Sequence, residues 1–280
     1  MKQQQFILIG GSVLLFCLIY FFGRTTPEKK PSEVAVKHQS ASSLNFDSVL
    51  TASRQKLSPA HQEALRELES NVVRGDVKNQ QINVYRQLAA FWKDSAHALL
   101  PYAYYSSEAA KLENSEKSLT FAAHFYLDGV RAQGDPAIRN WMANEAKTLF
   151  EQALVLNPSN DSLKIGLGSC YLFGNISDNP MTGITLIREV TERDSTNMYA
   201  QMMLATGGMI SGQYDRAIER LKKVVDYQPR NTEALVMLAE ACERHGDKAE
   251  AVKWYKEARK IIEHPEINAE IDKKIAFLSN

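Results

Sequence analysis

The chain has 280 residues, 44% of them hydrophobic, which is enough for one elongated domain of about 200 residues together with an anchor and a linker. Its 33 lysine and arginine residues balance 33 aspartate and glutamate residues, so the formal net charge is zero. Proteins that bind nucleic acid usually carry a basic domain, and this balance argues against nucleic acid as a partner.

The first predicted element is the apolar segment Phe6–Phe22, which contains no charged residue. As a helix it would be about 25 Å long, close to the thickness of a hydrocarbon core of about 30 Å. A cleaved signal peptide would show small residues at a cleavage site, whereas the apolar segment leads directly into Gly23 and Arg24. We therefore predict that residues 1–23 form an uncleaved, single-pass transmembrane anchor in a bacterial inner membrane.

Two opposing features bear on the side of the membrane that the rest of the chain occupies. Arg24, Lys29 and Lys30 follow the apolar segment, and positive residues prefer the cytoplasmic side. In contrast, Lys2 followed by a long apolar run is typical of exported signal-anchor proteins, and a large domain can be translocated despite a few charges. We favour a periplasmic location for the folded domain.

Two segments separate the anchor from the repeats described next. Residues 24–45 are rich in proline, serine and charge and lack large apolar side chains, so they are predicted to form a flexible linker. Residues 46–78 are predicted to form a helical pair. Ser58 and Pro59 are suited to begin its second helix, because serine caps a helix and proline is tolerated in the first turn.

Self-similarity at a spacing of 34 residues is the strongest signal in the chain. Segment 198–231 reads MYAQMMLATGGMISGQYDRAIERLKKVVDYQPRN, and segment 232–265 reads TEALVMLAEACERHGDKAEAVKWYKEARKIIEHP. The equivalent pairs are Leu204 and Leu238, Ala205 and Ala239, Gly208 and Cys242, Gly212 and Gly246, Ala217 and Ala251, Leu221 and Tyr255, Val224 and Ala258, and Pro229 and Glu263. This pattern resembles the tetratricopeptide repeat family.

Each recurring position also has a physical role in a helical hairpin. The leucine and the small residues after it form one apolar stripe on a first helix. Ala217 and Ala251 are small enough for the second helix to approach the first closely. Gly212 and Gly246 lie where the chain must reverse, and a residue in the left-handed region ends the first helix there.

The resemblance extends along most of the chain. Residues 162–265 are predicted to contain three repeats, and residues 79–161 to contain degenerate repeats. In the degenerate part, a first helix is predicted over residues 118–133, and the sequence GDPAIRNW around Pro136 is interpreted as an insertion. Residues 266–280 are predicted to form a C-terminal capping helix. Its apolar face is predicted to consist of Ile267, Ile271, Ile275 and Leu278.

The resemblance implies an all-α fold, a tetratricopeptide-type α-solenoid in which antiparallel helix pairs form a right-handed superhelix, here preceded by one transmembrane helix. It further implies that the first helices line a concave groove for a protein or peptide partner. By family position, the predicted groove residues are Leu172, Phe173, Tyr199, Met202, Met203, Met209, Ile210, Met237 and Glu240. Such an apolar, methionine-rich groove suits an apolar or helical segment. Alternatively, these side chains pack between repeats.

The chain shows no residue pattern for catalysis, and no cofactor or metal site is predicted. His124 and Asp128 lie one helical turn apart and are interpreted as a hydrogen-bonding pair. We therefore predict a non-catalytic scaffold in envelope biogenesis or secretion. One alternative is an anchored repeat subunit that presents apocytochrome for c-type cytochrome assembly. Another is an enzyme with an unrecognised site in residues 46–161.

Overall fold

The computed structural model describes residues 44, 46–74, 78–176 and 181–279. The anchor predicted at residues 1–23 lies outside these residues, as does the linker predicted at residues 24–45 except for Leu44. No helix in the described ranges is long and apolar enough to cross a membrane. These ranges are built of helices and their connections, which confirms the all-α class.

Thirteen α-helices form this part of the chain. They are α1 (Phe46–Gln55), α2 (Pro59–Arg74), α3 (Lys78–Ala90), α4 (Leu99–Glu113), α5 (Glu116–Ala132), α6 (Pro136–Leu156), α7 (Asp161–Gly174), α8 (Met181–Arg193), α9 (Met198–Ile210), α10 (Tyr214–Tyr227), α11 (Thr232–His245), α12 (Lys248–Ile261) and α13 (Pro265–Ser279). A π-helical segment, Phe91–Ser95, continues α3.

Consecutive helices pack as hairpins from α3 onward. The pairs are α3 with α4, α5 with α6, α7 with α8, α9 with α10, and α11 with α12. The second helix of each hairpin also packs on the first helix of the next hairpin, and α13 packs on α12. This sequential packing of helix pairs is the arrangement that the 34-residue spacing predicts.

The last hairpin shows how local sequence produces this unit. The Asn231 side chain caps α11 by accepting a hydrogen bond from the Ala234 N–H, with an O–N distance of 3.0 Å. Gly246 ends α11 with a φ of 94°, a left-handed conformation that glycine adopts without a Cβ penalty. Asp247 then caps α12 through the Glu250 N–H. Gly212 reverses the preceding hairpin with a φ of 74°, so both predicted reversal points are confirmed.

The hairpin of α7 and α8 depends on two facing glycines. A Cβ on Gly183 would lie 2.4 Å from the carbonyl oxygen of Gly168, and a Cβ on Gly168 would lie 2.8 Å from the carbonyl oxygen of Gly183. Any larger residue at either position would therefore clash with backbone. The two helices can approach this closely because neither position carries a side chain.

Most of the sequence GDPAIRNW, interpreted as an insertion, forms the start of α6. The Asp135 carboxylate accepts hydrogen bonds from the N–H groups of Ala137 and Ile138, and Pro136 stands at the start of the helix, where its missing N–H is not needed. The extra residues therefore lengthen the helix to 21 residues.

The capping helix α13 is partly as predicted. Ile271 and Leu278 are buried, and Ile275 packs against the same cluster. The prediction was wrong for Ile267, which is 44% exposed. Ile267 lies in the first turn of α13 and faces solvent. The neighbouring Asn268 is buried instead, and it donates a hydrogen bond to the Ile262 carbonyl at 2.7 Å.

Candidate functional site

The first helices of the hairpins contribute to a common surface, which we call the first-helix face. α5 contacts α7, and α7 contacts α9. One side-chain contact reaches farther along the stack: Arg131 at the end of α5 donates to Glu233 at the start of α11, with an Nη2–Oε1 distance of 3.3 Å. The ion pair joins α5 to α11, and it interacts with one side chain of α7 and one of α9.

Two rings and a third charge accompany this ion pair. The Arg131 guanidinium carbon lies 5.5 Å from the centroid of the Phe173 ring on α7, within cation–π distance. Burial raises the pKa of Tyr199 on α9, Arg131 lowers it, and Asp128 and Glu233 raise it further. Tyr199 therefore interacts electrostatically with Arg131, Asp128 and Glu233. We call these five residues, Asp128, Arg131, Phe173, Tyr199 and Glu233, the charged cluster.

Helix ends position the members of this cluster. Asn197 caps α9 by accepting from the Ala200 N–H at 3.0 Å, which fixes Tyr199 in the first turn. Glu233 lies in the first turn of α11, and Arg131 lies in the last turn of α5. A carboxylate near a helix N-terminus and a guanidinium near a helix C-terminus are both favoured by the helix dipole. The two ionised side chains are thus stabilised before they meet.

The structure divides the predicted groove residues by exposure. Tyr199 and Ile210 are exposed, at 41% and 63%. Glu240 is half-buried. The half-buried apolar members that pack against the core are Leu172, Phe173, Met209 and Met237. Together with Tyr199 and Ile210, these residues are the accessible apolar part of the predicted set.

Met202 and Met203 belong to the core, with exposures of 6% and 2%. The Met202 sulfur also accepts a hydrogen bond from the Asn231 side-chain amide at 3.6 Å, and Asn231 caps the first helix of the next hairpin. For these two methionines the structure shows the alternative that the sequence left open, packing between repeats.

Glu243, near the end of α11, has a structural role. It accepts hydrogen bonds from the Tyr255 hydroxyl and the Lys274 ammonium, each at 2.8 Å. Burial opposes ionisation, but these two donors and the nearby positive charges hold the pKa of Glu243 below its ordinary value. The carboxylate therefore joins α11 to α12 and α13.

A cleft of about 360 Å³ lies between α3, α4 and α5, in the part of the chain where the repeats are degenerate. Alanines of α3, α4 and α5 form part of its lining. At its rim, Arg86 pairs with Glu113 at 2.6 Å, Lys93 lies 5.7 Å from the centroid of the Tyr102 ring, and Phe121 is 64% exposed. The cleft adds a second accessible aromatic and charged surface to the first helices.

Arg131, Asp128 and Phe121 were missed as site residues from the sequence. All three lie on α5, where the degenerate repeat gives no fixed register for assigning groove positions. Glu233 could be placed there by its position in the last repeat, but its partnership with Arg131 has no sequence signal, because 102 residues separate the two.

The alternative of an enzyme site in residues 46–161 can be compared with the arrangement of metal-ligating side chains and with the surroundings of His124. Within the described part of the chain, no three or more His, Cys, Asp and Glu side chains are arranged to hold a metal ion. The His124 ring packs edge-on against Phe150, with 5.1 Å between centroids. Burial lowers the pKa of His124, while Asp128 opposes this shift.

These observations define the class: an all-α repeat protein whose hairpins share a surface of aromatic and charged side chains. Residues 210–265, from the end of α9 to the start of α13, match a family model described as tetratricopeptide repeat. The resemblance stated for this region is confirmed. No curated protein matches the chain.

Several solved structures are similar to the chain in fold. A MamA protein is 19% identical over 64% of this chain and 91% of its own, with a TM-score of 0.46. YrrB, described as a TPR protein with an unusual peptide-binding site, is 17% identical over 76% and 98%, with a TM-score of 0.46. MamA from Desulfovibrio magneticus RS-1, residues 41 to the end, is 18% identical over 67% and 96%, with a TM-score of 0.45. These likenesses are too distant to bear on function.

Proposed function

We propose that the protein is a non-catalytic scaffold that binds a segment of a partner protein at the first-helix face. The observation that carries this proposal is the charged cluster, in which Arg131 and Glu233 from distant hairpins meet beside the rings of Phe173 and Tyr199. Arginine and aromatic side chains are enriched where proteins bind one another. Single exposed apolar residues scattered over a surface do not indicate a binding site. The side chains of the charged cluster, in contrast, lie together.

The side chains around the cluster favour an apolar or helical segment as the ligand. Ile210 is exposed, and Leu172, Met209 and Met237 are half-buried beside the core. Methionine side chains are flexible and polarisable, so they adapt to apolar surfaces of different shape. The partner segment would cover these side chains and exclude water from the edge of the charged cluster.

Site-specific photo-crosslinking in cells tests this proposal. A photoreactive amino acid at Tyr199 or Ile210 is expected to crosslink a distinct partner. The matched controls are Val155 and Tyr227, which are 80% and 66% exposed but lie at the ends of the second helices α6 and α10. If the control positions capture the same protein as efficiently, or the first-helix positions capture none, the first-helix face is not the binding surface.

We further propose that residues 1–23 anchor this scaffold in a bacterial inner membrane, with the repeats in the periplasm, in service of envelope biogenesis or secretion. The support is the uncharged segment Phe6–Phe22. The protein is expected to stay in the membrane fraction through a high-salt wash, and a reporter active only outside the cytoplasm is expected to work after Asn280. Release by salt would contradict the anchor, and activity of a cytoplasm-dependent reporter would contradict the orientation.

A further inference from the structure

A cavity of about 280 Å³ lies where α1, α2, α3 and α4 meet, and no residue of the charged cluster lines it. Four aromatic rings and two carboxylates form its walls, with two leucines beside them. The aromatic and acidic residues are Phe46, Tyr85, Tyr104, Tyr105, Asp47 and Glu69. Neither the repeat pattern nor the proposed partner binding uses these residues.

The ring pairs differ in geometry: one is nearly perpendicular, one is tilted, and Phe46 is stacked between two other rings. Tyr104 and Tyr105 meet edge to face, with 5.3 Å between centroids and 78° between planes. Tyr85 lies 6.1 Å from Tyr105 at an angle of 32°. Phe46 is stacked between Tyr104, at 4.0 Å, and Trp141, at 5.2 Å, so the start of α1 is fixed to α4 and α6. The walls are therefore set by packing before any ligand arrives.

Negative charge exceeds positive charge around these rings. Glu69 is paired with Arg54 and accepts a hydrogen bond from the Tyr105 hydroxyl at 3.4 Å. Lys111 is shared by two carboxylates, Glu108 at 2.9 Å and Glu145 at 3.0 Å, which leaves one negative charge in excess.

The tyrosines respond to this field. Burial, followed by Glu108, raises the pKa of both Tyr85 and Tyr104. Burial, followed by Glu69, raises the pKa of Tyr105 to about 12. The three phenols therefore stay neutral and present uncharged π faces in a negative environment.

We propose that this cavity binds a small organic cation, an alkylammonium or quaternary ammonium group, held by the tyrosine rings through cation–π attraction. Aromatic side chains that line a cavity can recognise such cations through their π faces, and nearby carboxylates strengthen the attraction. The volume lies at the small end of ligand sites, which suits a compact head group and excludes a folded peptide.

The first test compares a cation with a neutral molecule of the same shape. Choline and 3,3-dimethylbutan-1-ol are titrated separately into the full chain in a nonionic maltoside detergent, and binding is followed by saturation-transfer NMR on the methyl protons. Choline is expected to bind at least about tenfold more tightly than the neutral alcohol. Equal binding would overturn the proposal, because it would show a merely apolar cavity, and so would absence of choline binding.

A peptide with one trimethyllysine distinguishes two sources of the same chemistry. Tighter binding of the peptide than of choline would assign the cation to a protein side chain, and the reverse would assign it to a free small molecule. Both outcomes require that the trimethylammonium group binds in this cavity.

Variants at Tyr85 connect binding to the rings. Tyr85→Leu is expected to weaken choline binding about fivefold or more, whereas Tyr85→Phe, which keeps the ring, is expected to stay within about twofold. Phe277→Leu is the control, because its ring is 72% exposed on α13 and lies outside the cavity. Unchanged binding by folded Tyr85→Leu would overturn the assignment. If Tyr85→Leu does not fold, the proposal is still tested by the binding of choline to Tyr85→Phe and by the comparison of choline with the neutral alcohol. These measurements do not involve the first-helix face, so failure here leaves the proposed partner binding intact.

Discussion

The hairpins of α9 to α12 and the hairpin of α3 and α4 reach the same architecture by different means. In the former, asparagine side chains cap α9 and α11, glycines reverse the chain, and Ala217 and Ala251 are fully buried where the helices approach. In the latter, α4 begins after Ala98 without a side-chain cap, a π-helical segment continues α3, and aromatic rings fill the interface. In this chain, small residues and helix caps stabilise the regular hairpins, and aromatic side chains stabilise the irregular hairpin of α3 and α4.

This difference has a functional consequence. Small residues at fixed positions bring helices into close contact, whereas the aromatic side chains of α1, α3 and α4 border a cavity. The cavity lined by Tyr85, Tyr104 and Tyr105 lies in the aromatic region. The closely packed repeats thus offer a surface for the proposed partner, and the aromatic region offers a cavity for the proposed small ligand.

Removing Trp92 is expected to have the largest effect on stability. Its side chain is fully buried in the aromatic region, and its indole Nε1 has no hydrogen-bond partner in the described ranges, so its contribution is packing. Trp92→Ala is expected to lower the free energy of unfolding by about 3–5 kcal/mol, measured by chemical denaturation. Leu99→Ala, at a residue that is 59% exposed, is the control. Equal effects of the two would show that the rings do not hold this region.

Enlarging Gly183 tests whether close approach holds the regular region. A Cβ there would lie 2.4 Å from a carbonyl oxygen of α7, and backbone cannot move aside as a flexible side chain can. Gly183→Val is expected to lower the free energy of unfolding by about 3 kcal/mol. The same substitution at Gly134, where an added Cβ would meet no other atom within 4 Å, is the matched control. A neutral Gly183→Val would contradict the packing of α7 on α8.

The Glu243 carboxylate offers a smaller, pH-dependent test of how the last hairpin holds the capping helix. Its pKa is lower in the folded state than its ordinary value of 4.5, so its stabilising effect is present above that pH and is lost as the pH falls through the lowered pKa. Glu243→Gln is expected to cost less than about 1 kcal/mol at neutral pH. Thermal melts should show the gap between native and variant chains closing below pH 4.5, and a constant gap would contradict the linkage.

The sequence predicts the regular part of the fold well because its determinants are local. A cap, a reversal glycine and an apolar stripe each act within a few residues, so α9 to α12 could be placed from spacing alone. The GDPAIRNW segment was predicted as an insertion from family spacing, and the local signal of Asp135 and Pro136 explains why a helix begins within it. The predicted burial of Ile267 was wrong because it depends on how α13 packs on α12, which the local sequence does not determine.

The site was less predictable because it depends on distances between hairpins. Met202 and Ile210 lie on the same first helix and both fit groove positions, yet the first is buried by the next hairpin and the second is exposed. The Arg131–Glu233 pair joins residues that are 102 positions apart, so no local pattern encodes it. The sequence could nominate the surface, but it could not separate the side chains that a partner can reach from those that hold the stack.

Ile210→Glu is the substitution with the smallest expected effect on folding and the most direct bearing on function, and Met202→Glu is its buried counterpart. Ile210 is 63% exposed at the end of α9, so Ile210→Glu should change the free energy of unfolding by no more than about 0.5 kcal/mol. If a partner segment covers Ile210, the new charge must be desolvated on binding, and affinity for the crosslinked partner should fall at least about tenfold. Ile210→Gln separates the effect of charge from the effect of shape and should weaken binding less.

Met202→Glu places its charge in the core, because the Met202 side chain is only 6% exposed, and it should lower the melting temperature by many degrees. An unchanged affinity in folded Ile210→Glu would remove Ile210 from the binding surface, and a stable Met202→Glu would mean that Met202 is not packed between repeats.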